Sequence, residues 1–178
     1  MLLQTGTWFY ALGLFFCIDP AWNNPLGQAQ ERKPCSSPET RQFDFWLGEW
    51  EVTAGGKLAG TNRISRASGG CALLEEYQSQ SGYSGKSLNF FNTELNKWQQ
   101  VWVGSAGDIL VLTGEYKDGK MILSGEAMPD RKKVQNRITW FNHAAEGTVR
   151  QLWENSEDSG QTWNVVFDGL YTEKKERR

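Results

Sequence analysis

One histidine, three cysteines and five prolines stand in a chain of 178 residues. A lone histidine excludes chemistry that needs a histidine cluster, whether for metal binding or for acid–base relays. Charge of one sign is also missing: 19 Lys and Arg face 21 Asp and Glu, a formal net charge of −2. Such a balance leaves no basic footprint for nucleic acid and no polybasic patch for a membrane surface. Long apolar runs are absent too. The run at 8–18 is short of the ~20 residues a membrane-spanning helix needs. P-loop, dinucleotide, zinc-finger and HExxH patterns do not occur, and Gly82-Tyr83-Ser84-Gly85 is one residue short of a nucleophile elbow. What is plentiful is glycine (19 residues) and aromatic side chain (13%, nine Trp), the composition of turn-rich β-structure in one domain.

The short apolar run suits the core of a secretory signal, although no Lys or Arg precedes it. Gly27-Gln28-Ala29 puts small residues where a signal peptidase reads them, which predicts cleavage after Ala29. The alternative is an uncleaved leader. Removal of 1–29 takes Cys17 away and leaves Cys35 and Cys71, an even pair that in an exported chain predicts a disulfide. Residues 30–36 then read as a polar linker, 37–172 as the folded domain and 173–178 as a charged tail.

Ser37-Pro38-Glu39-Thr40 carries the marks of a helix start, and Phe43, Trp46 and Leu47 share one helical face before Gly48 stops the turn. From residue 49 the pattern alternates with period two. Ten runs emerge, at 49–53, 58–65, 72–80, 86–91, 98–103, 109–116, 121–127, 134–141, 149–155 and 163–172. Their separators hold turn residues such as Gly55-Gly56, Ser68-Gly69-Gly70 and Asp118-Gly119. None is long enough for a crossover helix, so sequential strands should pair antiparallel in an up-and-down meander. Closure of ten such strands into a barrel removes exposed edges and leaves a lumen. The predicted fold is therefore all-β, a ten-stranded barrel behind one short helix.

Within Phe43-Asp44-Phe45-Trp46-Leu47-Gly48-Glu49-Trp50-Glu51-Val52, the pair Gly48-x-Trp50 opens the first strand. This resembles the lipocalin and wider calycin signature, whose tryptophan closes one barrel end and packs against an Arg or Lys of a late strand. The longer pattern resembles exported bacterial proteins of unknown function with lipocalin-like barrels. It also includes Gly70-Cys71-Ala72-Leu73-Leu74-Glu75, Ser87-Leu88-Asn89-Phe90, Arg137-Ile138-Thr139-Trp140, Arg150-Gln151-Leu152-Trp153-Glu154 and Phe167-Asp168-Gly169-Leu170-Tyr171. The resemblance implies a barrel and export, and no set activity. Haem-binding calycins resemble the chain more distantly; they need a proximal histidine, and His143 sits in what reads as the turn 142–147. The segment Ser156-Glu157-Asp158-Ser159-Gly160-Gln161-Thr162-Trp163 matches an Asp-box, a structural hairpin turn in which Ser156, Asp158, Gly160 and Trp163 do the work.

A small, mainly apolar molecule bound in the lumen is the leading function, with no cofactor required. Candidate ligand contacts are Glu75, Asn89, Gln100, Trp102, Arg137, Trp140, Gln151 and Trp153, which mix aromatic surface with a few polar groups. Alternation leaves open which strand face turns inward, and a one-residue slip reverses every assignment. Two alternatives stand beside it. One is an isomerase or hydrolase of an apolar substrate with Glu75 or Glu76 as base, these neighbours facing opposite sides of a strand. The other is a filled barrel with an apolar outer patch, acting as a structural or interaction module.

Overall fold

A computed structural model describes residues 34–175 of the chain. The predicted signal and its predicted cleavage point lie outside the described residues, as do 176–178 of the tail. Ten strands follow one another: β1 (Gly48–Ala54), β2 (Lys57–Ala67), β3 (Ala72–Ser79), β4 (Ser84–Asn92) and β5 (Lys97–Gly104), then β6 (Ile109–Lys117), β7 (Lys120–Ala127), β8 (Val134–His143), β9 (Thr148–Ser156) and β10 (Asn164–Glu173). Each pairs antiparallel with the next, and β10 returns to β1, so the sheet closes into a barrel. Closure is fixed by Trp50 opposite Glu173 and Val52 opposite Tyr171, which brings the charged Glu173 into the sheet. His143 is the last residue of β8, paired with Thr148, and it opens the turn by accepting at its carbonyl from the Glu146 amide at 3.1 Å. Its ring lies against Phe141 (centroids 6.4 Å apart), at the opposite end of β8 from the cavity described below.

The helical segment before β1 is two 3₁₀ turns, Pro38–Arg41 and Asp44–Trp46, and not one continuous α-helix. Two local features shorten it. The Ser37 side chain makes no capping bond, while Thr40 Oγ1 turns back to donate to the carbonyls of Cys35 and Ser37 (2.8 and 2.6 Å). Phe43, between the turns, leaves helical geometry at φ −101°, ψ 4°. The segment still does what the shared face predicts: Phe43 and Trp46 are wholly buried in one end of the barrel. Phe43 stacks on Trp46 at 5.0 Å and meets Trp140 and Trp98 edge-on at 5.1 and 5.6 Å. Offset and edge-to-face geometry of this kind adds about 0.5–1.5 kcal/mol per pair to the burial itself.

Four fastenings hold this plug. Cys35 and Cys71 are disulfide-bonded, with their Cα atoms 5.0 Å apart. Arg41 donates to the carbonyls of Cys35 and Gly70, and Arg66 pairs with both carboxylate oxygens of Asp44 (3.1 and 2.7 Å). Trp50 Nε1 donates to the Trp46 carbonyl at 2.9 Å. Gly48 takes φ 141°, a backbone geometry that suits glycine, and a Cβ there would lie 3.4 Å from the Trp50 ring. The late-strand side chain set edge-on to Trp50 is the aromatic Tyr171, where the calycin likeness implies a cation.

The Asp-box works as a local staple. Asp158 accepts from the Thr162 amide and hydroxyl and from Ser156, which together hold its carboxyl down at about 2. Ser156 in turn accepts from the Gly160 amide, and Trp163 Nε1 donates to the Gly160 carbonyl. On the outer face of the barrel, Leu88, Val101 and Val111 pair in a row across β4, β5 and β6, with Val103 opposite Ile109 beside it, and all five are exposed.

Candidate functional site

Alternation decides which side chains enter the lumen once one position on each strand is placed. On β3, Glu75, Tyr77 and Ser79 face inward and Glu76 faces out, where it meets Lys86 at 2.7 Å and Arg63 at 3.9 Å. On β5 the inward set is Trp98, Gln100 and Trp102; on β9 it is Val149, Gln151 and Trp153. On β8, Asn136, Ile138 and Trp140 face inward.

A cavity of about 370 Å³, partly open to solvent, occupies the end away from the plug. Tyr77, Trp102, Trp153 and Phe167 give it aromatic walls, Leu110, Ile138 and Val166 aliphatic ones, and Glu75, Gln100, Gln151 and Tyr171 supply polar groups. Trp102 is held at the mouth by its indole N–H, which lies 3.3 Å from Tyr83 Oη and 3.2 Å from Asp108 Oδ2, while the Tyr83 hydroxyl donates to the same carboxylate at 2.7 Å. Burial and the Asp108 bond push the Tyr83 hydroxyl up to about 12. Glycine at 85 makes the placement possible, since a Cβ there would fall 2.1 Å from the Trp102 ring. Trp153 is fixed by its N–H bond to Asn136 Oδ1 at 2.9 Å.

Between cavity and plug runs a buried polar layer. Asn62 Nδ2 donates to Glu75 Oε1 (2.8 Å) and Ser87 Oγ to Glu75 Oε2 (2.6 Å). Asn89 Nδ2 donates to Ser87 Oγ (2.8 Å), and Gln100 Nε2 to Asn89 Oδ1 (2.9 Å). On the other side Tyr171 donates to Gln151 Oε1. Desolvation pushes the Glu75 carboxyl up to about 7, against the opposing pull of the Ser87 and Asn62 bonds. Burial and then the Glu75 charge raise Tyr171 and Tyr77 as well.

Of the residues singled out from sequence, Glu75, Gln100, Trp102, Gln151 and Trp153 line the cavity. Asn89 lies behind it in the polar layer, and Trp140 belongs to the plug. Arg137 is on the outer face: its guanidinium contacts Glu154 Oε2 (3.1 and 3.0 Å) and covers the Trp163 ring at 4.1 Å. Arg137 and Trp140 are three apart on one strand, so a period of two cannot send both inward. Tyr77, Ile138, Phe167 and Tyr171 were missed. Tyr77 shares the parity of Glu75, Ile138 that of Trp140, and Phe167 and Tyr171 that of each other; one anchored inward position per strand finds them.

Among the described residues no group of three or more His, Cys, Asp or Glu side chains is placed to hold a metal ion, and no helix is long and apolar enough to cross a membrane. Compared with known proteins, the chain matches no protein-family model and no curated protein. What stands is a closed ten-stranded antiparallel barrel, compatible with a lipocalin-like fold.

Proposed function

We propose that the protein is an exported carrier or receptor of calycin type that holds a small, mainly apolar molecule in the open half of its barrel. The observation that supports this most is the cavity itself, about 370 Å³ with four aromatic walls over a polar floor. Each 100 Å² of apolar ligand surface withdrawn from water there contributes about 2.5 kcal/mol, before the cost of association. The disulfide fits an oxidising compartment and so the export reading. Native mass spectrometry of protein taken from its own exported fraction tests the proposal. A mass excess that disappears on organic extraction is the expected result, and a bare polypeptide mass that takes up no apolar compound on incubation contradicts it. The same spectrum reports whether the chain begins after Ala29.

A second reading keeps the same cavity and makes Glu75 a general base, favoured by a buried carboxyl poised at about 7. Glu76, outside the barrel, has no such access. Under that reading Glu75→Gln binds the compound and leaves it unchanged while the native protein converts it. The module reading predicts both an apolar outer patch and a filled lumen. The row at Leu88, Val101 and Val111 fits the first, and the cavity speaks against the second.

A further inference from the structure

Glu75 is a buried acid without a cationic partner in the cavity it lines. The lining residues include no Lys, Arg or His. The groups facing Glu75 from each neighbouring strand are neutral: Asn62 of β2, Tyr77 of β3, Ser87 of β4, Gln100 of β5, Gln151 of β9 and Tyr171 of β10. The nearest cations on β2 and β4, Arg63 and Lys86, are exposed and paired with Glu76 on the other side of the sheet.

The network is also short of donors. Each Glu75 oxygen receives one hydrogen bond, at 2.8 and 2.6 Å, where a carboxylate oxygen can accept two. Asn62 Oδ1 is buried with no donor at all, and the Gln100 amide nitrogen is turned to Asn89 and Ser87, so its carbonyl oxygen takes no part in those bonds. A ligand that brings only acceptors leaves this surplus in place. An anionic one adds repulsion. A protonated amine supplies up to three donors and the missing positive charge, and the rings of Tyr77, Trp102, Trp153 and Phe167 favour a cation as well as an apolar body.

Resting on the lumen-binding reading, we propose that the ligand is an organic amine, its ammonium group on Glu75 and its aromatic or aliphatic body between the tryptophans. Binding then requires the ionised carboxylate. Because the empty site holds its proton up to about pH 7, affinity for an amine that stays protonated should fall about tenfold per pH unit below that.

Calorimetry on the full chain with three matched probes, naphthylethylamine, naphthylethanol and naphthylacetate, tests this at pH 6 and pH 8. The expected result is an amine at least about tenfold tighter than the alcohol at pH 8, weakening at pH 6 while the alcohol does not, with the acetate weakest. Glu75→Gln should remove the amine preference and the pH dependence and keep alcohol binding, while Glu76→Gln should change neither. Alcohol binding as tight as amine binding, with the same affinity at both pH values, overturns the amine proposal and leaves the lumen reading standing. No heat and no fluorescence change with any of the three overturns both. Retained circular dichroism of Glu75→Gln guards against a merely unfolded variant.

Discussion

At the closed end of the barrel, Phe43, Trp46, Trp98 and Trp140 meet ring against ring at 5.0–5.6 Å. At the open end, Trp102 and Trp153 stand on opposite sides of a cavity of about 370 Å³. One strand serves both ends, with Trp98 and Trp102 four apart on β5, while Trp153 of β9 pairs with Ile138, two residues before Trp140 on the adjacent β8. What differs is what comes in from outside the sheet. The helical segment, tied down by the disulfide and by Arg41, reaches one end only, and the polar layer of Asn62, Glu75, Ser87, Asn89 and Gln100 marks where packing stops. A barrel of this size holds a solid half and a hollow half because one short insert fills one of its two mouths.

The two ends should differ most when a tryptophan is truncated at each. Trp140→Ala removes a wholly buried ring from the plug and should cost about 3–5 kcal/mol in urea denaturation, against about 1–2 kcal/mol for Trp153→Ala, whose ring already borders empty space. Equal losses would mean the two halves are packed alike. Removing the disulfide with Cys35→Ser and Cys71→Ser, 36 residues apart, should cost about 3–4 kcal/mol on the chain-entropy model.

Glu75→Gln should act in the opposite sense. The folded protein holds the Glu75 proton up to about pH 7, whereas the unfolded chain releases it near 4.5. Between those values the folded state binds more protons, so stability falls as pH rises through the window. Above pH 7 the native protein carries the full penalty, about 3 kcal/mol from the size of the shift. The variant should therefore melt higher than the native protein at pH 8 and close to it at pH 4.5. The smallest effect belongs to its sequence neighbour: Glu76→Gln, on the exposed side, should leave the melting temperature unmoved at either pH.

Most of the architecture is legible in the sequence because strand alternation and turn chemistry are local. All ten runs are strands, with ends that move by one or two residues where pairing partners extend them, as at Ser84 and His143. The pairing of Cys35 with Cys71 is legible from the even count that remains if the expected cleavage after Ala29 takes Cys17 away. The site was legible only in part. Glu75 and Glu76 are equivalent by type, and nothing local says which enters a low-dielectric lumen; closure of the sheet decides it. Arg137 was misplaced for the same reason, since its outward bond to Glu154 on β9 depends on register. Nor does the sequence reveal how far the 3₁₀ segment reaches inside, which is what divides the lumen.

The most direct test of this division is the titration of Glu75 itself, followed by the carboxyl carbon shift in labelled protein from pH 4 to pH 9, with Glu75→Gln for assignment. A midpoint near 7 is the result expected of a buried acid in a cavity lined by no cationic side chain. A midpoint below 5 would show the group to be solvated or neutralised, and the hollow half to be something other than an unfilled site.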